Sequence, residues 1–214
     1  MTAVYSESRV LCSLADTHCH LDFNAFNNDR STVLSAAKDS GVAWIINPAV
    51  DVLSSQAIVK MVQEMEGVFA AVGVHPNDAN TWDEYSLPTL RKLSGESKVV
   101  AVGEIGLDYY RDHASREVQR EVFLSQLDLA RDMSLPVVIH TRNSLADALE
   151  ILTNWWQELR SSNHLLAGRP GVLALGGAGL AAGTAARGRR PERGARLARA
   201  CPVLHAMDGG VSHH

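Results

Sequence analysis

Cysteine is scarce: Cys12, Cys19 and Cys201 are widely spaced in a chain of 214 residues and form no CxxC pair. An odd, scattered set argues against a disulfide framework and against a thiolate zinc site, so any metal bound here is held by nitrogen and oxygen. Aromatic residues are few, and none follows Trp156. Long hydrophobic runs are missing too. The longest small-apolar stretch, 171–183, is too short and too glycine-rich to span a bilayer, and no basic segment followed by an apolar one opens the chain. The expectation is a cytoplasmic protein with no membrane partner.

What is present is an ordinary globular composition, 46% hydrophobic and 21% charged, long enough for one large core. The net charge of -4 hides a division, because residues 1–166 carry 13 Lys/Arg against 22 Asp/Glu whereas 167–214 carry 7 Arg against 2 acids. A basic segment is often a nucleic-acid patch. This one has no aromatic residue to stack on a base, which weakens that reading. The expected organisation is a domain over 1–173 and an atypical Ala/Gly/Arg-rich tail over 174–214, disordered or irregular.

From Val10 to about Ile151 apolar, β-branched runs alternate with segments of helical period. The runs are 10–15, 42–46, 68–74, 99–103 and 136–139. Between them lie a helix with Val33, Leu34 and Ala37 on one face and Gly41 at its C-terminus, helices over 54–66, 87–93 and 115–133, and one opened by Ser144 with Ala148, Leu149 and Leu152 inward. Apolar strands recurring roughly every 30 residues with a helix between each pair predict a parallel sheet buried on both faces. Two architectures fit: a (β/α)8 TIM barrel and an open doubly wound sheet.

The polar residues favour the barrel. His18 and His20 follow the first run, His75 the third, Glu104 the fourth and His140 the fifth. Two histidines one residue apart at a strand end share a face, since side chains alternate with period two, and they can clamp one divalent ion. Asp16 or Asp22 could join them or hold a ring in its ligating tautomer. Taken singly, His75 could be a turn histidine before Pro76 and His140 a core-edge histidine, and Gly103 with Gly106 hints at a dinucleotide loop, although the GxGxxG spacing is absent. Candidate ligands from several strand ends converge only if the sheet closes.

These motifs resemble the TatD family of metal-dependent deoxyribonucleases: Asp-Thr-His-Cys-His-Leu-Asp at 16–22, Gly-Val-His-Pro-Asn-Asp at 73–78, Gly-Glu-Ile-Gly-Leu-Asp-Tyr-Tyr at 103–110, Gln119 and Gln126, and Pro-Val-Val-Ile-His-Thr-Arg at 136–142. The resemblance implies an amidohydrolase-superfamily metallohydrolase with two divalent ions (Mg²⁺, Mn²⁺ or Zn²⁺) and DNA as substrate. His18 and His20 would bind the first ion, catalytic Glu104 would bridge the two, and His140 would bind the second. His75 and Arg142 become candidates for phosphate contacts, Arg142 through its forked guanidinium. Hydrolysis of a small-molecule amide or ester stands as the alternative chemistry, and a catalytically incompetent barrel as the third possibility.

The chain departs from the family pattern after Gly171-Val172-Leu173, where Ala174 occupies the place of an expected histidine. No Thr-Asp-x-Pro occurs anywhere, and ten of the 16 glycines lie at 168 or later. The abrupt change in composition looks like translation in the wrong frame of a G/C-rich gene; the rival reading is an insertion followed by a strand at 202–209, with His205 as the missing ligand. Either way the expectation is an incomplete barrel of about five or six βα units, against the roughly 250 residues of a whole one.

Overall fold

The computed structural model describes residues 14–111, 113–161 and 172–176. Among them six strands, β1 (Leu14–Asp16), β2 (Val42–Pro48), β3 (Val68–Val72), β4 (Val99–Asp108), β5 (Val137–Arg142) and β6 (Val172–Gly176), pair in parallel, each beside its predecessor in the chain. Helices α1 (Arg30–Asp39), α2 (Val52–Val62), α3 (Ser86–Leu93), α4 (Arg116–Met133) and α5 (Leu145–Ser161) lie between them. A doubly wound sheet reverses strand order at a switch point, whereas a barrel wall never does. The unbroken order makes this a partial TIM-barrel wall.

Local chemistry sets the helix limits. Asp51 accepts from the Ser54 amide while Ser54 Oγ accepts from the Asp51 amide, a reciprocal box that opens α2. Ser115 Oγ caps α4 through the Val118 amide. Past α1, Gly41 takes φ +93° and returns its amide to the Lys38 carbonyl, a left-handed exit that suits glycine.

Alternate residues of the sheet feed two cores. Ile45, Val72, Val102, Ile105, Val137 and Ile139 pack against the helices with Ile58, Phe123 and Leu127. Ile46, Ala71, Val100, Ala101 and Val138 form a smaller cluster. Both sheet faces are thus apolar, as the continuous runs predict.

Several sequence-derived limits shift. β4 continues through Asp108, so Gly103 and Gly106 belong to a strand and not to a dinucleotide loop. At Gly106 (φ +140°) a Cβ would lie 2.1 Å from the His140 carbonyl oxygen, which explains a glycine where β4 presses on β5. Helix α2 ends at Val62 rather than at 66. Leu149 is 47% exposed rather than inward; Ala148, Ile151 and Trp155 supply the buried side of α5. β6 crosses the 173/174 position where composition changes, and Ala174 pairs with Val138. Residues 10–13 of the first run, and the 177–214 part of the proposed tail with His205, lie outside the described residues.

Candidate metal centre

His18 and His20 stand just beyond β1, which ends at Asp16. The alternation that brings them together outlasts the strand because the Cys19 amide still bonds the Ile46 carbonyl at 3.1 Å, and Asp16 Oδ1 accepts from the His18 amide at 3.0 Å. Their Nε2 atoms come within 3.2 Å of one another. Each ring carries one proton when neutral, so lone pairs that close are costly unless a proton or a cation lies between them.

Glu104 reaches this pair because β4 is irregular. Across β5, Val102 pairs with Val137 but Ile105 pairs with Ile139, so three steps on β4 match two on β5. Such a bulge reverses the alternation of every later side chain. Val102 and Ile105 therefore both face the helices, while Glu104 and Asp108 turn to the side of His140. Buried to 4% exposure, Glu104 places Oε2 3.4 Å from His18 Nε2 and 4.0 Å from His20 Nε2, and Oε1 3.1 Å from His140 Nδ1. Burial opposes its ionisation, but hydrogen bonds from His140 and His18 and the neighbouring imidazoles outweigh that and hold its carboxyl well below the usual range. His18 is raised: burial disfavours its cation, yet the Glu104 hydrogen bond and charge prevail. Burial, with His18 beside it, lowers His20.

The other nitrogen of His140, Nε2, lies 3.1 Å from Asp108 Oδ2. Asp108 is fully buried and its Oδ1 accepts from the Tyr110 and Arg111 amides at 2.9 and 3.1 Å. A carboxylate fixed on one ring nitrogen is what sets the tautomer and aim of a ligating histidine. Across the cluster, Asn47 Nδ2 donates to Asp22 Oδ1 (2.8 Å), which stands 4.0 Å from His20 Nδ1. That nitrogen is buried, and among the described residues no hydrogen bond of ordinary geometry reaches it. Sequence reading did not single out Asp108 or Asn47 for these roles. Both stand at strand ends, the signal that could have found them.

His75 approaches the His140 ring edge-on, centroids 4.3 Å apart, and its ring can be grouped with Glu104 and His140 as a second triad of donors. Its hydrogen bonding argues otherwise. The Asn77 amide donates to His75 Nδ1 at 3.1 Å, which leaves the proton of the neutral ring on Nε2. Burial pushes the pKa down to about 4, so the ring stays neutral at physiological pH. Arg142, two residues past His140 on β5, lays its guanidinium 3.8 Å from the centroid of Tyr110. Cys19 is half-buried and its thiol is pushed up to about 11 by burial and by Asp16 and Asp22, which makes it a poor thiolate.

Helix α4 holds the two strand ends in place. Gln126 Oε1 accepts from the Val74 amide at 2.7 Å while its Nε2 donates to the Val74 carbonyl at 3.0 Å. Gln119 does the same for Asp108, at 2.8 and 3.0 Å, and also donates to the Ala114 carbonyl. Two turns apart on one face, each amide stands in for a missing strand neighbour beside His75 or at Asp108.

The donor set suits a divalent ion. N/O ligands about 2.0–2.1 Å from a tetrahedral centre lie about 3.3 Å from each other, and the His18, His20 and Glu104 donors stand 3.2, 3.4 and 4.0 Å apart. Among the described residues no helix is long and apolar enough to cross a membrane.

A family model described as TatD related DNase matches residues 15–175. The Bacillus subtilis protein named uncharacterized metal-dependent hydrolase YabD is 37% identical over 139 residues, 65% of this chain and 54% of that protein. The 3'-5' ssDNA/RNA exonuclease TatD of Cronobacter sakazakii is 34% identical over 144 residues, 67% of this chain and 55% of its own length. Among solved structures, the TatD homologue YJJV of Escherichia coli K12 superposes with a TM-score of 0.64 at 34% identity, covering 68% of this chain and 57% of that one. The chain spans about half the length of the curated relatives it matches.

Proposed function

Because the chain belongs to the TatD-related DNase family, whose model matches three quarters of it, we propose that it is a metal-dependent hydrolase of phosphodiester bonds in DNA. One observation carries the two-ion form of this reading. The Glu104 carboxylate turns one oxygen to His18 and His20 and the other to His140, the disposition of a bridge between two divalent ions, Mg²⁺, Mn²⁺ or Zn²⁺. Such ions supply Lewis-acid polarisation of a phosphoryl oxygen and lower the pKa of an attacking water.

The chain's own residues do the rest. Asp108 orients the His140 ring, and Asp22, braced by Asn47, stands 4.0 Å from Nδ1 of His20, close enough to orient that ring. His75 donates from Nε2 to a phosphoryl oxygen as charge builds on it, and its neutrality keeps it a hydrogen-bond donor without a charge to desolvate. The Arg142 guanidinium is held over the Tyr110 ring, and its planar fork of N–H groups can bind two phosphate oxygens.

The test is end-labelled single-stranded DNA incubated with the protein and Mn²⁺ or Mg²⁺, with bound ions counted by elemental analysis. The expected result is release of mononucleotides by a chain carrying two ions, and loss of both the second ion and the release in Glu104→Ala. Inertness toward DNA with turnover of amides or esters would move the protein to small-molecule hydrolysis. Unchanged hydrolysis in Glu104→Ala would overturn the bridging role.

A further inference from the structure

We propose that Tyr110 and Phe23 are stacking platforms for the bases of a single nucleic-acid strand, placed at the two ends of the metal cluster; this rests on the nucleic-acid reading above and extends it from phosphate chemistry to base contacts. Tyr110 is 60% exposed and Phe23 49%. Large apolar side chains are exposed elsewhere on this molecule, at Leu53, Tyr85, Leu124 and Leu149, and singly they need no explanation. These two differ in where they are held. Phe23 stacks on the His20 ring at 4.6 Å and 13°, nearly parallel. The Tyr110 amide is tied to Asp108 Oδ1, the carboxylate whose other oxygen meets His140. Thus one ring lies against His20 and the other stands beside Arg142, two residues past His140, on backbone tied to the carboxylate that meets His140.

Neither ring is part of the buried core. Tyr109, beside Tyr110, packs against the main apolar cluster and bonds Asp147 through its hydroxyl, whereas Tyr110 and Phe23 leave about half or more of their surface to solvent. One face of Tyr110 carries the Arg142 guanidinium and much of the rest meets solvent. A flat ring backed by a cation and exposed beside a phosphate-binding centre matches a base in three ways: a π-face, partial desolvation on stacking, and a positive charge for the adjoining backbone. Stacking of this kind ignores base identity, since every base has a π-face. It does distinguish strands, because a paired base already stacked in a duplex cannot reach both rings. The occupant is therefore an unpaired strand whose scissile phosphate sits at the cluster with a base on either side.

The experiment measures fluorescence-anisotropy affinities of the full chain, without turnover in a Glu104→Gln background, for a short oligothymidylate and for an abasic strand of the same length. The readout is the preference for the strand that has bases. Tyr110→Leu and Phe23→Leu, which keep bulk and lose the flat ring, are each expected to reduce that preference about 5- to 150-fold, with Tyr110→Phe retaining it. Tyr85→Leu, an exposed aromatic remote in sequence from the cluster's ligands, serves as the control and is expected to leave it intact. An unchanged preference in both leucine variants, or an equal drop in Tyr85→Leu, would overturn the proposal. A parent chain that binds both strands equally would overturn it while leaving the metal-hydrolase reading standing; one that binds neither and cleaves no DNA would remove both.

Discussion

A single backbone N–H decides what His75 is. By position alone the ring could serve as a third ligand beside Glu104 and His140, but the Asn77 amide occupies Nδ1 as a donor and commits the ring to offering a hydrogen from Nε2. His75→Ala is accordingly expected to lower kcat/KM on single-stranded DNA by about 10²–10³-fold, the cost of losing one preorganised oxyanion donor, with the bound-ion count unchanged and His75→Gln restoring part of the rate. Loss of an ion in His75→Ala would instead make it a ligand. Residue types were the most legible part of this site. His18, His20, Glu104 and His140 are recognisable because nitrogen and oxygen donors at strand ends stand out from apolar runs, and the structure brings all four together. Asp108 and Asn47 are not recognisable in the sequence for the opposite reason. An aspartate in a longer motif and an asparagine before a proline carry no sign of which histidine they support until the fold sets them beside it.

At the scale of elements, the runs of β-branched residues announced β2, β3, β4 and β5, and the period of α4 announced its buried face. The bulge in β4 was not legible, since nothing local to Val102, Gly103 and Glu104 says that β5 will match three of them with two. Leu149 escaped for a related reason: helical period fixes which residues share a stripe but not how far the stripe extends, and Ile151 and Trp155 take the place that Leu149 was given. The two glutamines of α4 are the clearest element-scale device. Gln126→Leu leaves the buried amide and carbonyl of Val74 without partners, each a loss of about 1–3 kcal/mol, so thermal melting should show a clear destabilisation. Gln126→Glu, which is either protonated in the core or sets a buried charge against the Val74 carbonyl, should also melt below the parent. A leucine variant that melts like the parent would show that α4 does not fasten β3.

At the scale of the whole molecule, the six strands among the described residues form a barrel wall with two outer edges. Among the described residues β1 pairs only with β2 and β6 only with β5, and Leu14 on β1 is 47% exposed. Unpaired edges with apolar side chains invite pairing with another chain. Expressed as these 214 residues, the protein is expected to elute by size-exclusion chromatography ahead of a monomer, and Leu14→Lys, an edge charge, to shift it toward the monomer. A parent chain that elutes as a monomer at high concentration would contradict this. The donors of the candidate metal centre are drawn from the ends of β1, β4 and β5, segments far apart in sequence that only the assembled sheet places side by side. If these donors hold an ion as proposed, its binding and the assembly of that wall are one equilibrium rather than two. A substitution that weakens the packing under the sheet, at buried Phe123 for example, is then expected to lower the apparent affinity for an ion without touching any proposed ligand, so that metal affinity would gauge how firmly the distant parts of the chain are held together.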